Sequence, residues 1–374
     1  MVSRGQRNPE PKSGVTQLSI SFENISRIRD EITQGLATKI IGQEKVIEEV
    51  MISLLSGGHI LVMGVPGLAK TLLVRSISEL LQLDFSRIQF TPDLMPQDIT
   101  GASILDRESS TGGRQFSFAK GPLFANMVLG DEINRTPPKT QAALLEGMEE
   151  GQVTVMGVRH PLPDPFFVMA TQNPLEQEGT YPLPVTQLDR FSFQILMDYP
   201  NAEEELDVVS VTTAMNPGPL KPVVSAEWLR EASLEVRQVQ IPDFQLIRAT
   251  RIVRSTRPQE EGAPESAQEL LYHGAGPRGV QTILATARAR AALNQRNTVT
   301  DEDIDAVLFP SLRHRLGLSV HAEAEGLEPD QVLSRILEES GDRPEEADSE
   351  TLKQAGFFKE WLSKLADTTP YFRS

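Results

Sequence analysis

The chain of 374 residues contains no cysteine. This absence excludes disulfide bonds and thiolate metal sites. The histidines do not form a metal-binding pattern either, because they are scattered and show none of the paired spacings of zinc ligands. We therefore expect no structural zinc site at the five histidines, which are His59, His160, His273, His314 and His321.

The chain also has no excess of basic charge. It carries 36 lysines and arginines against 52 aspartates and glutamates, for a net charge of −16. So acidic a chain has no general attraction for DNA, RNA or anionic lipid, although a local basic surface is compatible with this balance. We expect no nucleic-acid partner.

A third absence is that of an apolar run long enough to cross a membrane. The most apolar stretch, residues 57–83, contains Lys70 and Arg75, which excludes a span there. The first sixteen residues are polar and have no apolar signal-peptide core. We therefore expect no membrane span and, by default, a cytoplasmic location.

Hydrophobic residues make up 39% of the chain and charged residues 24%, an ordinary globular balance. Since single cores rarely grow beyond about 250–300 residues, the length indicates two domains. Short apolar strands alternate with helices up to about residue 200, which predicts a parallel sheet covered on both faces. Later segments have helical spacing. We assign residues 1–17 to a disordered N-terminus, 18–240 to an α/β core with a connector that includes a helix near 202–213, 241–325 to a small all-helical lid domain, and 326–374 to an acidic C-terminal extension.

A glycine-rich loop lies between a predicted strand and a predicted helix. In such a loop the backbone N–H groups converge on phosphate oxygens, and the helix N-terminus adds its dipole. The Lys70 ammonium would neutralise the β- and γ-phosphates, and the Thr71 hydroxyl would bind Mg²⁺. The predicted nucleotide-binding residues are Gly64, Val65, Pro66, Gly67, Leu68, Ala69, Lys70 and Thr71.

The loop departs from the usual pattern at one position and has an alternative interpretation. Ala69 stands where glycine is usual, and we expect it to preserve the loop by keeping a negative φ. The alternative is an ordinary strand–helix turn in which a Lys-Thr pair occurs by chance.

A second apolar strand, residues 126–130, ends in two carboxylates 61 residues after Lys70. Asp131 would hold Mg²⁺ through water, and Glu132 would act as the general base on the attacking water. Open α/β sheets bind ligands at such strand ends. The alternative is an ordinary Asp-Glu cap of the following helix.

Three further polar residues are candidates for the site, each with a plainer alternative. Asn173 ends another buried strand and would orient the water, or form a turn before Pro174. Arg190 is predicted early in a helix and would otherwise form a surface ion pair with Asp189. Arg278 opens a helix of the second domain and would otherwise be a solvated basic residue.

Together these runs resemble the MoxR family of AAA+ ATPases over about residues 22–325. Met63 and Gly130 depart from the family pattern, in which we expect glutamate and alanine. The matching runs are 64–71, Gly121-Pro-Leu-Phe-Ala-Asn126, Asp131-Glu-Ile-Asn-Arg135, Ala170-Thr-Gln-Asn-Pro174, residues 176–184, Leu188-Asp-Arg-Phe191 and His314-Arg-Leu316.

The resemblance implies a P-loop NTPase that binds ATP and Mg²⁺, with a role for each candidate. Asn173 would be the sensor-1 residue, and Arg190 the arginine finger that acts on ATP bound by the neighbouring subunit. Arg278 would be the sensor-2 residue, contacting the γ-phosphate from the lid. The segment with Ile41 and Gly42 would pack near the adenine.

The resemblance also implies an assembly and a biological role. Hairpins at residues 100–118 and 152–163 would face the central pore of a homo-oligomeric ring, typically a hexamer, although both could be plain surface hairpins. The protein would be a chaperone-like remodelling factor for maturation or metal-cofactor insertion of a client protein, with a von Willebrand A-domain partner. The alternatives are a magnesium-chelatase-type motor subunit, a DNA-dependent AAA+ motor and a non-catalytic P-loop scaffold.

Overall fold

The computed structural model describes residues 20–65, 67–106, 115–173, 179–213, 218 and 220–342. Three expectations lie outside these ranges: the disordered N-terminus at 1–17, the conformation of Pro66, and the acidic extension from residue 343 onwards.

The chain begins with two helices. In α1 (Phe22–Ala37) the hydroxyl of Ser21 caps the first turn by accepting the Asn24 N–H, and isoleucines at helical spacing turn one face into the core. In α2 (Glu44–Ser56) the helix ends at Gly57, whose φ of +74° is the left-handed conformation that favours glycine. The helical spacing of apolar residues from about Phe22 to Leu55 thus corresponds to two helices, separated by a short segment that contains Ile41 and Gly42.

A five-stranded parallel sheet follows, in the order β2-β5-β8-β1-β9. In the three central strands, β5, β8 and β1, alternate residues enter separate hydrophobic clusters on the two faces, as Leu61 and Val62 do, which explains why these strands read as continuous apolar runs. The elements are β1 (Ile60–Gly64), α3 (Lys70–Leu80), β2 (Phe85–Gln89), α4 (Pro96–Thr100), β3 (Gly101–Asp106), β4 (Gln115–Lys120), β5 (Met127–Asp131), α5 (Pro138–Glu150), β6 (Gln152–Val155), β7 (Val158–Pro161), β8 (Phe167–Gln172), α6 (Val185–Leu188) and β9 (Phe193–Met197).

The connector and the second domain, called the lid below, complete the described chain. The connector helix lies where the sequence predicts it, and α8 was not predicted. None of the helices in the described ranges is long and apolar enough to cross a membrane. The elements are α7 (Ala202–Thr213), α8 (Ala226–Val236), α9 (Asp243–Ser255), α10 (Glu265–Leu270), β10 (Leu271–His273), α11 (Pro277–Leu293), α12 (Asp301–Leu312), β11 (Gly317–Leu318), α13 (Val320–Ala324) and α14 (Pro329–Glu339).

The lid differs from the prediction in two respects. Residues 271–273, predicted as helix, form strand β10, which pairs with β11, so the lid is not wholly helical. Helix α14 buries Val332, Leu333 and Ile336 in the same core, so the packed lid extends beyond residue 325. Strand β10 could not be predicted from local periodicity, because a three-residue strand has none, whereas Val332, Leu333 and Ile336 do recur at helical spacing.

The lid joins the core at the turn that precedes β9. Arg315 is 2% exposed and donates to the Asp189 carboxylate at 2.7 Å and to the Phe191 carbonyl at 2.8 Å. His314 contacts the same Phe191 carbonyl through Nε2 at 3.0 Å, and burial lowers the pKa of His314 well below its usual value. Arg313 donates to the carbonyl of Gln194 at 2.8 Å. The lid thus satisfies backbone acceptors of the core that would otherwise be buried without donors.

We expect Arg315→Ala to lower the free energy of unfolding by about 1–3 kcal/mol, because the substitution leaves a partly buried carboxylate and buried carbonyls without a donor. Arg335→Ala, on the exposed side of α14, is the control and should change stability by less than about 0.5 kcal/mol. Urea unfolding of both variants measures the difference. Equal midpoints would show that Arg315 does not secure the lid.

Candidate nucleotide-binding site

Lys70, Asp131, Glu132 and Asn173 come together where parallel strands end. The loop after β1, the carboxylates after β5 and Asn173 after β8 share one edge, because β8 lies between β1 and β5. Burial lowers the pKa of Lys70, while the charges of Asp131 and Glu132 act on it in the opposite direction. The ammonium donates to the Gly64 carbonyl and is influenced by the charges of both carboxylates, an arrangement that fits a triphosphate with a divalent cation.

The phosphate loop has a left-handed backbone at two positions. Gly67 has φ +91°, which favours glycine, whereas Ala69 has φ +54° and ψ +23°. The expectation of a negative φ at Ala69 was wrong: helix α3 begins at Lys70, and the chain reaches it through a left-handed turn. Thr71 lies in the first turn of that helix, and Leu68 packs against the core. Val65 is partly buried at the start of the loop.

Asp131 is fixed by two residues that the sequence analysis missed. The Thr171 hydroxyl donates to one carboxylate oxygen at 2.7 Å, and Arg87 pairs with the other at 2.6 Å. Thr171 also accepts the Glu132 N–H at 2.9 Å, so a single hydroxyl ties both acidic residues to β8. Thr171 belongs to a run that carried the family resemblance, but no local pattern marked Arg87 in its short strand.

Glu132 has an unusual backbone, with φ +58° and ψ +51°. Its carboxylate accepts from Gln89 at 2.8 Å and from Arg135 at 2.9 Å. Glu132 directly precedes a short 3₁₀ helix, Ile133–Arg135, but its side chain makes no cap bond there, and the next α-helix begins only at Pro138. A non-glycine residue in this conformation costs about 1–2 kcal/mol, a strain that is common at functional sites.

Two other details of this edge follow from close packing. Asn173 is buried directly after β8. An added Cβ at Gly130 would lie 3.2 Å from the Phe90 ring and 3.3 Å from Leu144, which explains glycine where the family pattern suggests alanine. The departure at Gly130 therefore reflects packing beneath the site.

The segment with Ile41 and Gly42 lies beside the beginning of the phosphate loop. Gln43 donates to the Asp198 carbonyl at 3.5 Å, and Met197, one residue earlier, pairs with Gly64. Gly42 has φ +70°, the left-handed conformation that favours glycine, and an added Cβ would also displace the Glu204 carboxyl at the start of α7. This position is compatible with the expected contact with adenine.

Arg190 and Arg278 lie at the opposite edge of the sheet, where strands begin. Arg190 follows α6 instead of lying within a helix, and it pairs with Glu149 at 2.7 Å. Arg278 pairs with the other oxygen of Glu149, also at 2.7 Å. The predicted alternative for Arg190, a pair with Asp189, is wrong because Asp189 is bound by Arg315.

A buried histidine shows why Glu149 belongs to that edge. His59, directly before β1, accepts the Val168 N–H at 3.1 Å through Nδ1 and contacts the Met148 carbonyl at 3.1 Å through Nε2. Burial lowers the pKa of His59 to about 4, so the ring is neutral and Nε2 carries the hydrogen. The end of α5 is thereby tied to the beginnings of the strands.

The expectation that Arg278 contacts the γ-phosphate of its own subunit is therefore wrong. The strand edges are separated by roughly 16 Å, since β1 has five residues and a strand rises about 3.3 Å per residue. Arg278 and Lys70 lie at opposite edges. Sequence reasoning missed this because the lid position depends on distant contacts such as that of Arg315.

Both expected hairpins form, β3 with β4 and β6 with β7. Phe118 of one stacks on His160 of the other, with ring centroids 3.9 Å apart. Met156, at the tip of the second hairpin, is 79% exposed. Whether the hairpins face a pore stays a prediction.

The conformation of Ala69 generates a prediction about the loop. Ala69→Gly should keep ATP affinity, and stability should change by less than about 1 kcal/mol, because relief of the strain is offset by a more flexible unfolded chain. Ala69→Val should lower stability by about 1–2 kcal/mol or distort the loop, since β-branched residues tolerate this φ poorly. Nucleotide titration and thermal melting measure both effects. Equal behaviour of the valine and glycine variants would contradict the left-handed geometry.

Comparisons with known proteins agree with this architecture. The family described as "ATPase family associated with various cellular activities (AAA)" matches residues 59–193, and the family described as "AAA lid domain" matches residues 248–336. A solved structure from Cytophaga hutchinsonii, described as a candidate ATPase, superposes with a TM-score of 0.78 at 40% identity, covering 85% of this chain and 96% of that one.

Two curated relatives align over most of their length. The uncharacterized protein YeaC of Bacillus subtilis is 40% identical, covering 84% of this chain and 95% of that protein. The chaperone MoxR1 of Mycobacterium tuberculosis is 38% identical, covering 88% of this chain and 85% of that protein. With the phosphate loop, the acidic strand end and the lid in place, these similarities establish that the chain belongs to the MoxR family of AAA+ ATPases.

Proposed function

We propose that this protein hydrolyses ATP with Mg²⁺ in a homo-oligomeric ring and uses the energy to remodel a client protein. The observation that carries the proposal is the placement of Lys70, Asp131 and Glu132 at the ends of parallel strands, on one edge of the sheet. Lys70 would bind the phosphates there. Thr71 would bind Mg²⁺ directly, and Asp131 would hold it through water, since its oxygens already accept from Thr171 and Arg87.

The reaction needs a base and an oriented water. Glu132 would take the proton from the water as its oxygen attacks the γ-phosphorus, while the bond from that phosphorus to the bridging oxygen breaks. The contacts from Gln89 and Arg135 aim the Glu132 carboxylate. Asn173, buried on the neighbouring strand, would orient the water.

The arginines at the opposite edge support a ring. Neither Arg190 nor Arg278 lies at the edge that carries Lys70, so we propose that both act on ATP bound by the neighbouring subunit. An arginine supplied in this way contributes roughly 10³–10⁵ in rate. A lone subunit should therefore hydrolyse ATP slowly, and the rate per subunit should rise with protein concentration.

The client role is supported by similarity. The 38% identical relative is named a chaperone, and a Protein MoxR of Paracoccus denitrificans is 30% identical. We propose chaperone-like maturation or metal-cofactor insertion, with hairpins at a central pore and a von Willebrand A-domain partner. A magnesium-chelatase-type role is the second candidate, but the 38 kDa magnesium-chelatase subunit of Chlorobaculum parvum is only 24% identical. The net charge of −16 argues against a DNA-dependent motor.

Glu132→Gln should bind ATP normally and hydrolyse it about 10²–10⁴-fold more slowly, because an amide cannot take the proton. Lys70→Ala should instead lose ATP affinity. Glu146→Gln, on an exposed position of α5, serves as the control. Equilibrium binding and steady-state turnover separate the effects, and wild-type turnover in Glu132→Gln would remove Glu132 from the role of base.

The action across subunits predicts complementation. Arg190→Ala and Lys70→Ala should each be nearly inactive, yet a 1:1 mixture that has exchanged subunits should regain activity. At some interfaces of the mixture, a subunit with an intact Lys70 contacts a neighbour with an intact Arg190. ATPase assays of each variant and of the mixture test this. A mixture no more active than its components would assign Arg190 a local structural role.

A second mixture distinguishes the position of Arg278. If Arg278 acts across the interface with Arg190, no interface in a mixture of Arg190→Ala and Arg278→Ala has both arginines, and no activity returns. If Arg278 served its own subunit, that mixture would regain activity. The Lys70→Ala mixture is the positive control for exchange.

A further inference from the structure

We propose that Glu149 is a positioning residue that holds Arg190 and Arg278 as one pair for the nucleotide of the neighbouring subunit. This inference rests on the proposed function, in which both arginines act across the interface. It adds a residue that no motif of the sequence marked, because Glu149 is one of several glutamates at the end of α5.

The geometry of the carboxylate carries the inference. One oxygen of Glu149 accepts from Arg190 and the other from Arg278, each at 2.7 Å. Two guanidinium groups brought this close repel each other unless an anion lies between them. Each guanidinium has five N–H donors, so the bonds to Glu149 leave donors for phosphate oxygens.

Charge at this edge also suits an anionic ligand. Asp189 is bound by Arg315 and lies 4.0 Å from Arg278, so three guanidinium groups surround the carboxylates of Glu149 and Asp189. The cluster keeps a positive charge, and a phosphate of the neighbouring nucleotide would neutralise it. Glu149 thus brings the arginines together without cancelling their charge.

Glu149 also joins the two domains. Arg190 belongs to the core, where it donates to the Leu145 carbonyl at 2.9 Å, and Arg278 begins the lid helix α11. The end of α5 between them is anchored by His59 through the Met148 carbonyl. A shift of the lid that breaks the bond from Arg278 to Glu149 would separate the pair.

Fold stability does not explain this arrangement. Glu149 lies in the last turn of α5, where a negative charge is unfavourable for the helix dipole. The side chains of Arg190, Glu149 and Arg278 are 29%, 37% and 46% exposed, and ion pairs at such exposure contribute little to stability. Loss of the carboxylate should leave the melting temperature unchanged.

The test uses Glu149→Gln in the full-length protein, with Glu150→Gln as the matched control on the neighbouring exposed glutamate. We expect kcat to fall about tenfold in Glu149→Gln through lost orientation, while the KM for ATP and the melting temperature stay at wild-type values. Glu150→Gln should match the wild type in all three.

Mixing then separates positioning across the interface from a local role. In an exchanged 1:1 mixture of Glu149→Gln with Lys70→Ala, about a quarter of the interfaces join a subunit with an intact Lys70 to a neighbour with an intact Glu149. The ATPase rate of the mixture should therefore exceed the mean rate of the two separate variants several-fold. The Arg190→Ala mixture with Lys70→Ala runs in parallel.

The results test the role of Glu149 separately from the proposed action of the arginines across the interface. Wild-type kcat in Glu149→Gln, a lowered melting temperature, or no gain when the Arg190→Ala mixture does gain would overturn the role of Glu149 and leave the proposed function standing. If the Arg190→Ala mixture also shows no gain, action across the interface fails, and the role of Glu149 fails with it.

Discussion

The guanidinium of Arg315 fixes the relation between the two domains. It enters the core from the lid and binds the carboxylate of Asp189 and backbone carbonyls of the turn before β9. Because this turn carries Arg190, the position of the lid and that of the candidate arginine finger are set by one buried contact. In that arrangement Arg278 pairs with Glu149.

The parallel sheet divides the candidate chemistry between its two edges. Where strands end, Thr171 and Arg87 hold Asp131. The next residue, Glu132, has a left-handed backbone and lies at the same edge as Lys70. Where strands begin, Arg190 and Arg278 both pair with the carboxylate of Glu149. One subunit cannot bring both edges to one nucleotide, since the length of a strand separates them, but the proposed head-to-tail ring would bring them together at each interface.

Much of the core was predictable because its signals are local. Buried strands on a two-faced sheet read as continuous apolar runs, and the loop and carboxylates follow them directly. Ala69 was misjudged because alanine gives no warning of a positive φ that the surrounding loop imposes. Strand β10 was missed because its pairing with β11 joins residues far apart in the chain.

The sequence by itself determined the family, the alternation of strands and helices in the α/β core, and the position of the phosphate loop, because motif spacing and hydrophobic period are properties of neighbouring residues. Only the tertiary structure decided which arginine lies at which edge. Arg278 is placed by lid contacts, and its partner Glu149 lies 129 positions away in the chain. Such contacts depend on packing between domains, which leaves no periodic trace in the sequence.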